Sequence, residues 1–197
     1  MALMFKYVNA IVILIICHKY QQPCLFNFNF RYLKRMRVSE NLLKWAMRIY
    51  PPLFFQRIWV KKFDKDFRGV EVVIRKSIWN RNYNNSIFGG TIFSAADAFY
   101  PILFYKIFTN KGYKLRAWSK SLEIQYIKPG FTDLYYTISI TDAQIAEAEE
   151  ILKTVGKYSI SHPILIFDKN GVNVASVMNE VYMRNLDFME TNNAHNN

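Results

Sequence analysis

Thiols are nearly absent from this chain. It has two cysteines, Cys17 and Cys24, both close to its start. Everything downstream is therefore without a cysteine nucleophile, a disulfide or a cysteine-built metal site. Histidine is almost as scarce. No two of His18, His162 and His195 stand at metal-ligand spacing, so neither a metal nor a cofactor is expected. Acids number 15 against 26 lysines and arginines, and the shortage is uneven. Residues 1–37 carry Lys6, Lys19, Arg31, Lys34, Arg35 and Arg37 and no acid, so +6 of the net +11 sits there. The remaining +5 is a moderate excess that can help attract an anionic ligand. A basic chain can also bind nucleic acid, but no recognition motif or basic repeat supports that partner, and none is expected. Internal repeats are missing.

Long hydrophobic runs are missing too. Residues 10–17, AIVILIIC, are too few to span a bilayer comfortably. Residues 1–37 have three readings, in this order: an extraneous or poorly ordered tail, a membrane-associating segment, and a cleaved signal. No small-residue cleavage site follows the run clearly, and translation from Met36 is a further alternative. The expected location is cytoplasmic, with membrane contact through residues 1–37 as an option.

What the chain does have is apolar bulk. It is 51% hydrophobic and 17% aromatic over 197 residues, enough for one well-cored domain. The expected division is a domain over 38–186 between the basic tail and a polar tail over 187–197. Ser39 caps a helix in which Leu42, Leu43, Ala46, Ile49 and Tyr50 recur at helical spacing, and Pro51-Pro52 ends it. Residues 57–63 and 70–78 read as a hairpin, and 80–85 as an asparagine-rich loop. Residues 90–108 form a helix apolar nearly all round, hence buried, with Pro101 as a kink or weak point. Residues 116–127 alternate as a half-buried strand, with Ser119 and Ser121 on its polar face, and 134–140 return. Thr141 with Gln144 makes a capping box for a short helix that Gly156 stops. In residues 158–167, Pro163 implies an edge or a bulge, and His162 reads as a strand or surface histidine. Asp168-Lys169-Asn170-Gly171 turns the chain into the last strand. The fold class is α+β: an antiparallel sheet wrapped around one long central helix.

The chemistry concentrates in residues 82–105, NYNNSIFGGTIFSAADAFYPILFY. Gly89-Gly90 at a helix entry leave backbone N–H groups bare toward a ligand. Asp97 is the one carboxylate in the apolar run that follows, seven residues past Gly90 and so on the same helix face.

FGGTIFSAADAFY resembles the HGG…F…LAD…F signature of hotdog-fold acyl-CoA thioesterases of the phenylacetate-degradation type. IYPPLFF, WNRNYNNSIFGG and IQYIKPG are similar to a related hotdog family known mainly as a domain of unknown function. The resemblance covers roughly residues 39–184 and implies a hotdog fold. Its catalytic carboxylate falls on Asp97, its asparagine on Asn82, and its carbonyl-polarising glycine on Gly89, with Gly90 beside it. A serine that helps place the water falls on Ser119. Where that signature has histidine this chain has Phe88, which lines the same place without a polar group. The resemblance implies hydrolysis of acyl-CoA or another acyl thioester. Asp97 would be base or nucleophile and the Gly89 N–H the oxyanion donor. It also implies a homodimer, with a tetramer as the further option. The alternative is a non-catalytic hotdog module that binds acyl-CoA, a lipid acyl group or a protein partner.

Overall fold

The computed structural model describes residues 38–188. The expectations for residues 1–37 and for the polar residues 189–197 lie outside the described residues. Helix α1, Glu40–Ile49, starts where expected: the Ser39 hydroxyl accepts from the Leu42 N–H at 3.3 Å. It buries Leu43, Ala46 and Met47. Pro51-Pro52 end α1 and also open a second short helix, α2, Pro51–Phe55. Proline's fixed φ and missing N–H suit a first turn, where that donor has no partner anyway.

Strands β1, Ile58–Phe63, and β2, Gly69–Ile74, form the expected hairpin. Strand β2 is shorter than the expected 70–78. The central helix α3 runs Gly89–Asn110, and β3, Leu115–Tyr126, and β4, Leu134–Ser139, follow. Helix α4, Asp142–Thr154, has the Thr141–Gln144 capping box, and β5, Lys157–Asp168, and β6, Asn173–Asn185, follow. The six strands make one antiparallel sheet in the order β1-β2-β4-β5-β6-β3. Helix α3 packs into it: Phe99, Leu103, Phe104 and Phe108 share one core with Tyr136, Val177, Val181 and Met183. This is the α+β layout expected from element order.

Pro163 lies in β5, which has a neighbour on each side rather than forming a sheet edge. Strand β4 reaches β5 only at Asp168 and Phe167, so opposite Pro163 that side of the ladder is open. A residue without an N–H is tolerated there.

His162 is not a surface residue. It is 3% exposed, its ring stacks on Tyr100 at 4.9 Å between centroids, and it lies 5.3 Å from Phe104. Gln144 uses its carbonyl oxygen on the Thr141 N–H, so its NH₂ faces His162 Nδ1 at 3.4 Å. Nδ1 must then be the acceptor, and Nε2 carries the hydrogen toward the Tyr158 hydroxyl at 3.4 Å. A second proton would set two donors face to face in an apolar site, and burial holds the pKa of His162 below its ordinary value. Below about pH 6.5 the unfolded chain gains a proton that the folded one refuses, so stability falls by up to about 1.4 kcal/mol per pH unit. Urea denaturation at pH 7.5 and 5.5 should show that loss, and His162→Gln should reduce it.

Candidate active site

The loop entering α3 is built around a side chain that turn chemistry alone does not predict. Asn80 is 3% exposed. Its Oδ1 accepts from the Ser77 N–H at 2.9 Å, and its Nδ2 donates to the carbonyls of Gln56 and Arg75 at 2.8 and 2.9 Å. Its own carbonyl accepts from the Phe88 N–H at 2.8 Å. One residue thus ties the end of α2, the end of β2 and the start of α3. These bonds turn the chain out of the sheet soon after Ile74, which is why β2 is short. Asparagine was legible here as a loop residue; its burial was not.

Asn82 is held in a turn of its own. Its Oδ1 accepts from both the N–H and the hydroxyl of Ser86 at 3.1 Å. The backbone donor fixes which amide atom faces Ser86, so the Nδ2 donors stay without a partner among the described residues.

Phe88 is the N-cap of α3 and has no side-chain group to cap with. The N–H groups of Thr91 and Ile92 go to the Phe88 carbonyl at 2.9 and 3.3 Å. Those of Gly89 and Gly90 have no acceptor among the described residues, as first-turn donors do not within a helix. Both positions lie close under aromatic rings, so a side chain at either would have to push one aside. A methyl at Gly89 would fall 3.1 Å from the Tyr126 ring, and one at Gly90 would collide with the Phe88 ring. The Tyr126 hydroxyl donates to the Gly89 carbonyl at 2.9 Å and pins the turn.

Asp97 is half-buried, on the face that carries Gly90 and Ser94. Its carboxylate has no hydrogen bond or ion pair among the described residues. Its backbone carbonyl is different. Pro101 remains inside a continuous α3 but has no N–H, so the Asp97 carbonyl lacks its usual donor four residues on. The Ser119 hydroxyl supplies one at 3.0 Å. Beside it, Tyr136 donates to the Ala95 carbonyl at 2.6 Å and Asn179 to that of Ala96 at 3.0 Å. Three sheet side chains therefore grip α3 just where the proline weakens it.

The strict alternation expected for β3 would have turned Ser119 away from α3. A bulge breaks it: Ser119 pairs with Val181, but Ser121, two residues later, pairs with the adjacent Glu180. Ser119 therefore faces α3 while Ser121 bonds Glu180 on the opposite face at 2.8 Å. Ser119→Ala should cost about 1 kcal/mol by urea denaturation, since it orphans a helix carbonyl.

Beside the α3 entry lies a groove of about 470 Å³, walled by Trp79, Arg81 and Phe88 and floored by Gly90, Thr91 and Ser94. Asp97 sits one turn beyond Ser94, past this lining. Neither Asn82 nor Ser119 lines it. A second hollow, about 350 Å³, lies among charged side chains on α4 and holds none of the expected site residues. Among the described residues no cluster of three histidine, cysteine or acidic groups could hold a metal.

The fold is shared with solved structures. One is a Pseudomonas aeruginosa protein of unknown function described as a probable thioesterase: TM-score 0.63, 15% identity, 74% of this chain and 95% of that one covered. A second is a protein of unknown function from Chlorobaculum tepidum: TM-score 0.64, 13% identity, 76% and 98% covered. A thioesterase from Haemophilus influenzae matches at TM-score 0.55 and 8% identity over 75% and 92%. At these identities the likeness establishes the hotdog fold. No curated protein matches the chain. Residues 39–183 match the family described as a domain of unknown function (DUF4442), and the chain belongs to that hotdog-fold family.

Proposed function

We propose that this protein hydrolyses an acyl thioester. One observation carries the reading: the uncapped entry of α3 at Gly89 and Gly90 leads onto the face that carries Asp97, whose carboxylate has no partner among the described residues, and Gly90 borders a groove. Thioester hydrolysis needs donors aimed at the oxygen that becomes negative, and a helix N-terminus provides them together with its dipole. It also needs water activated by a base, or a carboxylate nucleophile. In the base route Asp97 takes a proton from water, the oxygen attacks the carbonyl carbon, and the C–S bond breaks as the thiolate leaves. Asn82 would present its Nδ2 to water or substrate. Ser119, having spent its proton on Asp97's carbonyl, would act as a lone-pair acceptor. Arg81 at the groove suits an anionic carrier such as coenzyme A.

The site is proposed to be completed by a second copy. Arg48 donates to the Val60 carbonyl at 2.8 Å and so covers part of the β1 edge, while β3 presents 12 residues of unpaired edge among the described residues. Phe93, on the helix beside the site, is 40% exposed. The test is a panel of acyl-CoA and acyl-carrier thioesters with the purified chain, read by thiol release, with the oligomeric state measured alongside. Turnover of at least one member is the expected result. A second reading is favoured by Phe88, which stands over Gly90 where the resembled signature has histidine. It is a module that binds acyl thioesters without turning them over. Saturable binding with no thiol release would establish that reading.

A further inference from the structure

Trp59 on β1 is ringed by arginines. The guanidinium carbons of Arg48, Arg57 and Arg75 lie 5.7, 5.7 and 5.5 Å from its ring centroid. Each contact is favourable alone, but three like charges around one indole repel one another. None of the three pairs with a carboxylate among the described residues. Lysines nearby behave differently: Lys62 holds Asp64 and Glu71 at 3.2 and 2.9 Å. The cluster carries two further costs. Arg57 Nε and Trp59 Nε1 are buried without partners. Arg57 also has φ 60°, left-handed backbone that glycine or asparagine adopts more cheaply.

Exposed rings continue from this cluster. Phe54 lies 6.3 Å from Trp59, Phe55 5.5 Å from Phe54, and Trp79 6.3 Å from Phe55. On the other side Arg48 sits 4.8 Å over Trp45. Trp45, Phe55 and Trp79 are 53%, 57% and 69% exposed. A soluble anion would engage the guanidinium groups and leave these rings in water. A lipid surface offers anions and an apolar layer side by side, which is where tryptophan and arginine concentrate.

We propose that this face docks on an anionic bilayer. Headgroups neutralise Arg48, Arg57 and Arg75, and Phe54, Phe55 and Trp79 enter the interface. The surface is built from residues of the folded domain. Trp79 also walls the groove beside α3, so docking brings the groove mouth to the lipid; that clause alone rests on the hydrolytic reading.

The test uses the full chain and vesicles of phosphatidylcholine with or without about 30 mol% phosphatidylserine. All four tryptophans, Trp45, Trp59, Trp79 and Trp118, lie after residue 37, so quenching by brominated lipid reports the domain and not the preceding segment. The expected result is quenching with anionic vesicles only, lost with salt. Arg75→Glu with Phe55→Ser, both at exposed positions, should weaken vesicle affinity at least about fivefold with unchanged circular dichroism. Sedimentation without quenching would assign any binding to residues 1–37 and overturn the proposal. So would equal quenching with neutral vesicles, or an unaffected double variant. A saturable fluorescence change with inorganic phosphate and none with vesicles would make this a soluble-anion site. A change of oligomeric state in the double variant without lipid binding would make it a self-association surface.

Discussion

Asp97→Asn should lower kcat/KM for thioester hydrolysis by about 10²–10⁴-fold, the usual contribution of a positioned acid–base group. Asparagine has nearly the shape of aspartate but can neither take a proton from water nor attack a carbonyl. The structure makes this a clean substitution. The carboxylate has no hydrogen bond or ion pair among the described residues, so no fold contact is lost with its charge. Residue 97 is held through its backbone, by the Ser119 hydroxyl on its carbonyl, and that contact survives. The melting temperature should therefore stay within a degree or two while thiol release collapses; changes of this kind away from packing features are usually within about 0.5 kcal/mol. An unchanged rate would remove Asp97 from the chemistry.

Asn80→Ala should be the most destabilising polar truncation in the α3 entry. It removes an acceptor from the Ser77 N–H and a donor from the Gln56 and Arg75 carbonyls in a place that is 3% exposed. Leaving such groups unpaired costs about 1–3 kcal/mol each where water cannot reach, so a net loss of about 3 kcal/mol is expected. For a domain this size that is about 6–12 °C in Tm. The same side chain holds the loop that delivers Phe88, Gly89 and Gly90, so activity should fall with stability. Asn80→Asp keeps the acceptor for Ser77 but sets a carboxylate oxygen against the Gln56 and Arg75 carbonyls, so it should be least disruptive at low pH, where a protonated carboxyl can donate to one of them. Equal Tm values for wild type and Asn80→Ala would show that the three bonds contribute nothing net.

The sequence by itself determined the order of the main elements and the fold class, and it singled out the stretch that the proposed site is built on. Ser39 and the Thr141–Gln144 pair announce helix starts because their oxygens suit orphan N–H groups. Gly89-Gly90 followed by an apolar run marks a bare-amide entry into a buried helix, and Asp97 stands out as its only acid. These signals are local, carried by residues within a few positions of one another. Tertiary structure decided what depends on residues far apart in the chain. Strict alternation put Ser119 with Ser121, and one bulged residue against β6 separated them and turned Ser119 onto the carbonyl that Pro101 leaves free. His162 read as a strand or surface histidine; it is in a strand, but α3 and α4 close over it. Asn80 read as one more turn asparagine until α2 and β2 arrived at either side of its amide. Each is a matter of which polar group finds a partner once water is excluded, and that is settled only when distant segments pack.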